Sequence, residues 1–163
     1  MSDADKQKIH LICHCGYPKL SPEDEQYKQI KRAIENSGCT GSIITEFLTG
    51  EKLVRLRCCC DVMFNLQKTD AMSASMQENL AARGIVVVGE WLNYAALDDN
   101  GVYYNNISDF SEIKPKLEDI INNFDSYHEK TTENPQKIYS LLSWKPIKND
   151  WLKALSVDDS IID

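Results

Sequence analysis

Residues 85–89, Ile-Val-Val-Val-Gly, form an unbroken apolar run with no position suited to face water. A strand with one solvated face alternates polar and apolar residues, so a strand without alternation is covered on both faces, as in parallel sheets with helices above and below. Few architectures satisfy that demand. The rest of the chain agrees with it. Residues 8–15 (KIHLICHC), 42–47 (SIITEF) and 61–66 (DVMFNL) are short, branched, apolar runs, each followed by helical spacing. The first helix is predicted from Ser21 as N-cap and Pro22 at the first helical position, through Tyr27, Ile30 and Ile34, to a stop near Gly38. A second covers 51–60 behind Thr49, and a third carries Met72, Met76, Leu80 and Ala81 before ending at Gly84. Strands alternating with helices predict a doubly wound, Rossmann-like α/β fold: a mostly parallel sheet with helices on both faces. One more strand is expected at 102–105, a helix with an early Pro115 at 111–124, and extra C-terminal helices at 134–143 and 149–155.

A length of 163 residues fits one domain with a sizeable core, 1–163, with 1–7 and 156–163 as disordered ends. Eighteen basic and 25 acidic side chains leave a net charge of −7, and Lys and Arg gather into no stripe, so a nucleic-acid partner is not expected. No apolar run approaches the roughly 20 residues of a bilayer crossing, and the charged start is followed by no signal-peptide core, so a cytoplasmic protein without an integral membrane segment is expected. The six cysteines read as reduced thiols, because Cys58, Cys59 and Cys60 cannot all face one ion and no second pair completes a tetrahedral site. No metal is expected.

In open parallel sheets ligands gather beyond the carboxyl ends of the strands. The turn at 67–78, QKTDAMSASMQE, is the most informative of these. A strand passes through small residues into a helix, so the backbone N–H groups of Met72, Ser73, Ala74 and Ser75 are predicted to face the crevice with the positive end of a helix dipole behind them, an anion site. Asp70 and Glu78 stand eight residues apart, a little over two helical turns, so both carboxylates can project to one side. They suit the hydroxyl pairs of a sugar joined to phosphate. Equally, Asp70 can be a plain N-cap and Glu78 a solvated helix residue; spacing alone does not decide.

From about residue 9 to residue 123 the order of features resembles the C-terminal, nucleotide-sugar-binding domain of retaining GT-B glycosyltransferases of the family 4, group 1 type: HCGYP, IITEFLTGEKL, CCCDVMFNLQ, two acids separated by seven residues, then LAARGIVVVGEW. The resemblance implies a hexosyltransferase of polysaccharide, lipopolysaccharide or glycolipid synthesis, using a nucleotide-diphosphate sugar as donor and no further cofactor. Glu78 is then expected to accept hydrogen bonds from the ribose hydroxyls and Asp70 to orient the transferred sugar, the two residues in the catalytic positions. The amides of Met72, Ser73, Ala74 and Ser75 are expected to hold sugar hydroxyls and the distal phosphate. Gly16 belongs to the turn after the first strand, and Glu46 and Phe47 to the segment beside the base. The family's N-terminal acceptor domain is expected as a separate partner through which peripheral membrane contact would be made, leaving this chain inactive alone.

The chain departs from the pattern in having Asp for the usual first Glu, Ala71 and Ser73 for the glycines that follow, and no Arg and Lys pair ahead of the first strand; Lys68 is the candidate substitute. His14 at a strand end, and Trp91 and Tyr94 in the GEWLNY segment, could face the crevice or simply pack. The alternative is a non-enzymatic Rossmann-like nucleotide-binding domain or a flavodoxin-like receiver. A receiver needs an acidic pair after the first strand, where this chain has His14, Cys15, Gly16 and Tyr17. No G-x-G-x-x-G follows any strand, which removes the phosphate turn of a dinucleotide site.

Overall fold

The computed structural model describes residues 1–16 and 19–155; the expected turn at Tyr17 and Pro18 and the expected disorder of 156–163 lie outside them. The chain alternates α1 (Asp3–Lys6), β1 (His10–His14), α2 (Glu25–Ser37), β2 (Thr40–Ile44), α3 (Gly50–Cys58), β3 (Val62–Asn65), α4 (Ala74–Ala81), β4 (Ile85–Gly89), α5 (Ala95–Asp99) and β5 (Asn105–Ile107). A 3-10 turn, Phe110–Glu112, leads into α6 (Ile113–Asn122), α7 (Phe124–Lys130), α8 (Asn134–Leu142) and α9 (Trp144–Leu155). Every strand pairing is parallel: β1 with β2, and β4 with β3 on one side and β5 on the other. The fold is α/β and Rossmann-like, with helices flanking the sheets and further helices at the C-terminus. No described helix is long and apolar enough to cross a membrane.

The chain forms two compact units, Met1–Leu56 with Ser111–Asn123, and Arg57–Phe110 with the residues from Phe124 onward. In the first, β1 and β2 run in register from His10 opposite Thr40 to His14 opposite Ile44. Their close approach to α2 depends on Gly41, where a Cβ would stand 2.6 Å from the Ile34 side chain. In the second, Val86 and Val88 of β4 pack with Met76 and Leu80 of α4, Leu97 of α5 and Ile138 of α8. Side chains alternate along a strand, so Val87 points to the other face, and it is fully buried too. The 85–89 run therefore behaves as its composition demands.

Where boundaries differ from expectation, side chains account for it. Helix α2 begins three residues late, because the Asp24 carboxylate accepts the Ser21 N–H at 2.6 Å and the Ser21 hydroxyl donates to Glu23, closing a turn ahead of the helix. Arg83, at φ 66°, takes the left-handed position after α4 that was expected of Gly84. Residues 102–104 do not join the sheet: Asn134 clamps Tyr103 through both backbone groups, at 2.8 and 2.7 Å, and pairing starts at Asn105. The helix expected at 111–124 is α6, with Pro115 in its first turn, where no intrahelical acceptor is lost; α7 follows where no helix was expected.

Candidate functional site

Strand β3 ends on Asn65, 3% exposed, and this polar residue in an apolar strand organises the turn beyond it. Its amide nitrogen lies 2.8 Å from the Tyr94 hydroxyl and 3.3 Å from Asp70 Oδ2, and its oxygen accepts from Gln67 at 3.1 Å. The Tyr94 hydroxyl in turn donates to Asp70 Oδ2 at 2.5 Å. Asp70 also accepts the backbone N–H of Ser73 at 2.9 Å and of Met72 at 3.3 Å. Burial works to raise the Asp70 pKa, but the hydrogen bonds from Tyr94, the Ser73 amide, Asn65 and the Met72 amide outweigh it and hold the carboxyl below its ordinary value. Burial first, then the Asp70 carboxylate, push the Tyr94 phenol well above its ordinary range. At neutral pH the pair is a carboxylate and a neutral phenol.

This clamp delays α4. With the Met72 and Ser73 amides committed to Asp70, the helix opens at Ala74, and its first-turn N–H groups, those of Ala74 and Ser75 among them, have no acceptor within the helix. Met72 bridges the two arrangements at φ 128°, a conformation side-chain-bearing residues rarely adopt, held by Asp70 on its N–H and by Gln77 on its carbonyl at 2.8 Å.

The second acid sits lower on the same helix. Glu78 Oε2 accepts from Arg57 Nε at 2.8 Å, and Arg57 Nη2 donates to the Ser75 hydroxyl at 2.9 Å. The guanidinium is 12% exposed while the Glu78 side chain is 40% exposed. Arg57 comes from the last turn of α3. A cation beside the opening turn of a helix opposes the macrodipole, and here Glu78 offsets it.

Of the two aromatic residues in the GEWLNY segment, Tyr94 is 2% exposed and turned inward, edge-on to Tyr104, while Trp91 points outward. Lys68 is exposed and lines a cavity of about 370 Å³ together with Trp91, Ser108, Asp109 and Phe110.

In the first unit, Gly16, Glu46 and Phe47 do come together. A Cβ on Gly16 would stand 2.8 Å from His14 Nε2, 3.0 Å from the Glu46 carbonyl oxygen and 3.3 Å from Phe47 Cα, so glycine is what lets the two turns touch. His14 Nε2 lies 3.1 Å from that carbonyl, a pure acceptor, which makes the ring nitrogen the donor. The Glu46 carboxylate pairs with Lys52, whose hydrogen bond and charge lower its pKa. Phe47 is left 65% exposed.

Arg57 and Asn65 are the contributors that sequence reasoning missed. Asn65 carried a faint signal as the one amide in DVMFNL. Arg57 carried none, since its partners lie 18 and 21 residues away. Among the described residues no group of three or more His, Cys, Asp or Glu is placed to hold a metal ion.

No family model matches this chain, and no curated protein matches it. Among solved structures, "Crystal structure of GtfA/B complex" is similar in fold, with a TM-score of 0.61 at 12% identity over 90% of this chain. This chain spans 35% of the length of that one. The likeness is in the fold alone.

Proposed function

We propose that this chain is the donor-side part of a retaining glycosyltransferase of the GT-B type, binding a nucleotide-diphosphate sugar while a separate acceptor-binding domain presents the hydroxyl that attacks. The observation that carries the reading is the Arg57 guanidinium fixed at the opening turn of α4, against Glu78 and Ser75. Its contacts with Glu78 and Ser75 use two of its five N–H donors. Together with the first-turn amides of Ala74 and Ser75 it supplies positive potential for a leaving diphosphate, the role left vacant by the missing Arg and Lys pair. Glu78 Oε1, beside the Oε2 that Arg57 occupies, takes a ribose hydroxyl. Asp70 orients the transferred sugar chiefly by fixing the turn through which its own amides and Tyr94 are held.

In the transfer itself the bond from anomeric carbon to diphosphate oxygen breaks and its electron pair leaves with the diphosphate. The acceptor oxygen forms the new bond on the same face and its proton departs with the leaving group. Lys68, two residues ahead of Asp70, is the second candidate cation. The reaction belongs in the cytoplasm, needs no cofactor beyond its donor substrate, and uses a partner domain for the acceptor.

Titration of the chain with UDP, GDP, ADP and CMP and their sugar conjugates, followed by backbone amide shifts, tests this. Selective shifts at Ala74–Glu78 with one nucleotide, abolished by Arg57→Ala, are expected. Silence with every nucleotide in a folded protein refutes it.

A second reading has its own support: both acids already have partners within the chain, Asp70 four hydrogen-bond donors and Glu78 an arginine. A binding-only unit that assists a catalytic partner chain would look the same, and the similar fold comes from a structure titled as a complex. Release of nucleoside diphosphate when this chain and its acceptor domain are supplied with sugar nucleotide separates the two.

A further inference from the structure

Parallel pairing brings the carboxyl ends of β3, β4 and β5 to one edge, and the segments that follow them supply Lys68, Trp91 and Phe110. Trp91 and Phe110 stay 38% and 58% exposed. Their rings stand 5.3 Å apart, tilted by 42°, and make the aromatic floor of an open surface depression of about 370 Å³. That is the small end of the range for ligand sites.

The floor is held rather than loose. The Trp91 indole N–H donates to the Gln67 carbonyl at 2.7 Å, so the ring offers its face and not its polar edge. Beneath it lies Gly89, where a Cβ would be 2.2 to 2.5 Å from three indole atoms; only glycine at the end of β4 lets the ring lie there. Around the floor stand one ammonium, Lys68, one carboxylate, Asp109, and one hydroxyl, Ser108. The rim thus has no net charge but both donors and acceptors.

A rigid aromatic floor with an uncharged, hydrogen-bonding rim matches a neutral pyranose, which has a C–H face and a belt of hydroxyls. We propose that the Trp91–Phe110 cavity is a carbohydrate subsite, in which a sugar ring lies on the two aromatic faces and its hydroxyls meet Lys68, Ser108 and Asp109. The inference does not need the donor reading: apart from Lys68 its residues take no part in the donor site, and it would hold for a binding-only protein.

The test uses the full chain with maltotriose, cellotriose and chitotriose as probes and uridine as the contrasting aromatic ligand, following the indole N–H resonance that disappears in Trp91→Phe. A saturable shift with at least one trisaccharide, weakened about 5-fold in the exposed variant Phe110→Ala, is expected. No shift with any trisaccharide overturns the proposal, as does a response to uridine alone or a sugar response that Phe110→Ala leaves unchanged. Lys68→Met, at an exposed position, provides a second variant expected to weaken the sugar response while leaving the fold untouched. Nucleotide shifts at Ala74–Glu78 are read in the same spectra, so failure of the donor reading and failure of the sugar subsite are seen separately.

Discussion

Replacing Asp70 by alanine removes the acceptor shared by four donors. One of those is the Tyr94 hydroxyl, at 2% exposure, and a buried donor left without its acceptor costs about 1–3 kcal/mol, while Asn65 keeps the Tyr94 oxygen at 2.8 Å. Loss of the contacts to the Met72 and Ser73 amides adds about 1 kcal/mol, by analogy with a helix cap. Water reaching the half-buried position recovers part of the sum, so Asp70→Ala is expected to destabilise the second unit by about 2–3 kcal/mol, a large share of the roughly 5–15 kcal/mol typical of a whole domain. Tyr94→Phe, which deletes the hydrogen bonds to Asp70 and from Asn65 and leaves the ring packed, should cost about 2 kcal/mol. The double variant has no orphaned hydroxyl, so its loss should fall short of the sum by about 1–2 kcal/mol. Urea unfolding read by tryptophan fluorescence reports on this unit, because Trp91, Trp144 and Trp151 all lie in it. A loss below about 1 kcal/mol for Asp70→Ala, or strict additivity in the double variant, would refute the shared hydrogen bond as the clamp.

The same network predicts a pH dependence. Because the folded pKa of Asp70 is depressed, its contribution is fully present above the unfolded value of about 3.9 and is lost as pH falls through the lower folded value; Asp70→Asn should flatten the acid limb of a stability-versus-pH curve. Tyr94 and Tyr104, both raised by burial and then by Asp70 and Asp98 respectively, should be missing from the tyrosinate absorbance that develops around pH 10. Gly89→Ala should evict the Trp91 ring, shift tryptophan emission to the red and cost about 1–3 kcal/mol. Glu78→Ala should leave Arg57 beside the opening turn of α4 without its counter-ion, weakening nucleoside binding while the fold persists, as shown by unchanged far-ultraviolet circular dichroism.

Periodicity located the elements whose burial is dictated by local composition. The 85–89 run is β4 to the residue, the runs at 8–15 and 61–66 contain β1 and β3 with shorter limits, and β2 starts two residues ahead of the expected 42–47 and ends at Ile44. What escaped was whatever depended on a distant side chain. Asn134 decides where β5 starts from 31 residues away, and no local pattern at 102–105 records it. Helix α5 is five residues long and α7 seven, both too short for a helical stripe to register. For the site, the acid pair and its small-residue turn were visible, because charge and glycine-like spacing are sequence properties. Their protein partners, Arg57 for Glu78 and Asn65 with Tyr94 for Asp70, were not.

Met72 carries two opposed assets. Its backbone is strained by about 1–3 kcal/mol, which glycine would relieve, and its side chain packs on the core with about 1–2 kcal/mol of apolar burial, which glycine would forfeit. Selection for stability alone is nearly blind at such a position, since the two changes cancel. A library sorted by thermal tolerance would scatter freely there, whereas one sorted by ligand retention would narrow to residues that keep the turn in its left-handed seat. Comparing the two enrichment profiles at position 72 would show which pressure has shaped this turn.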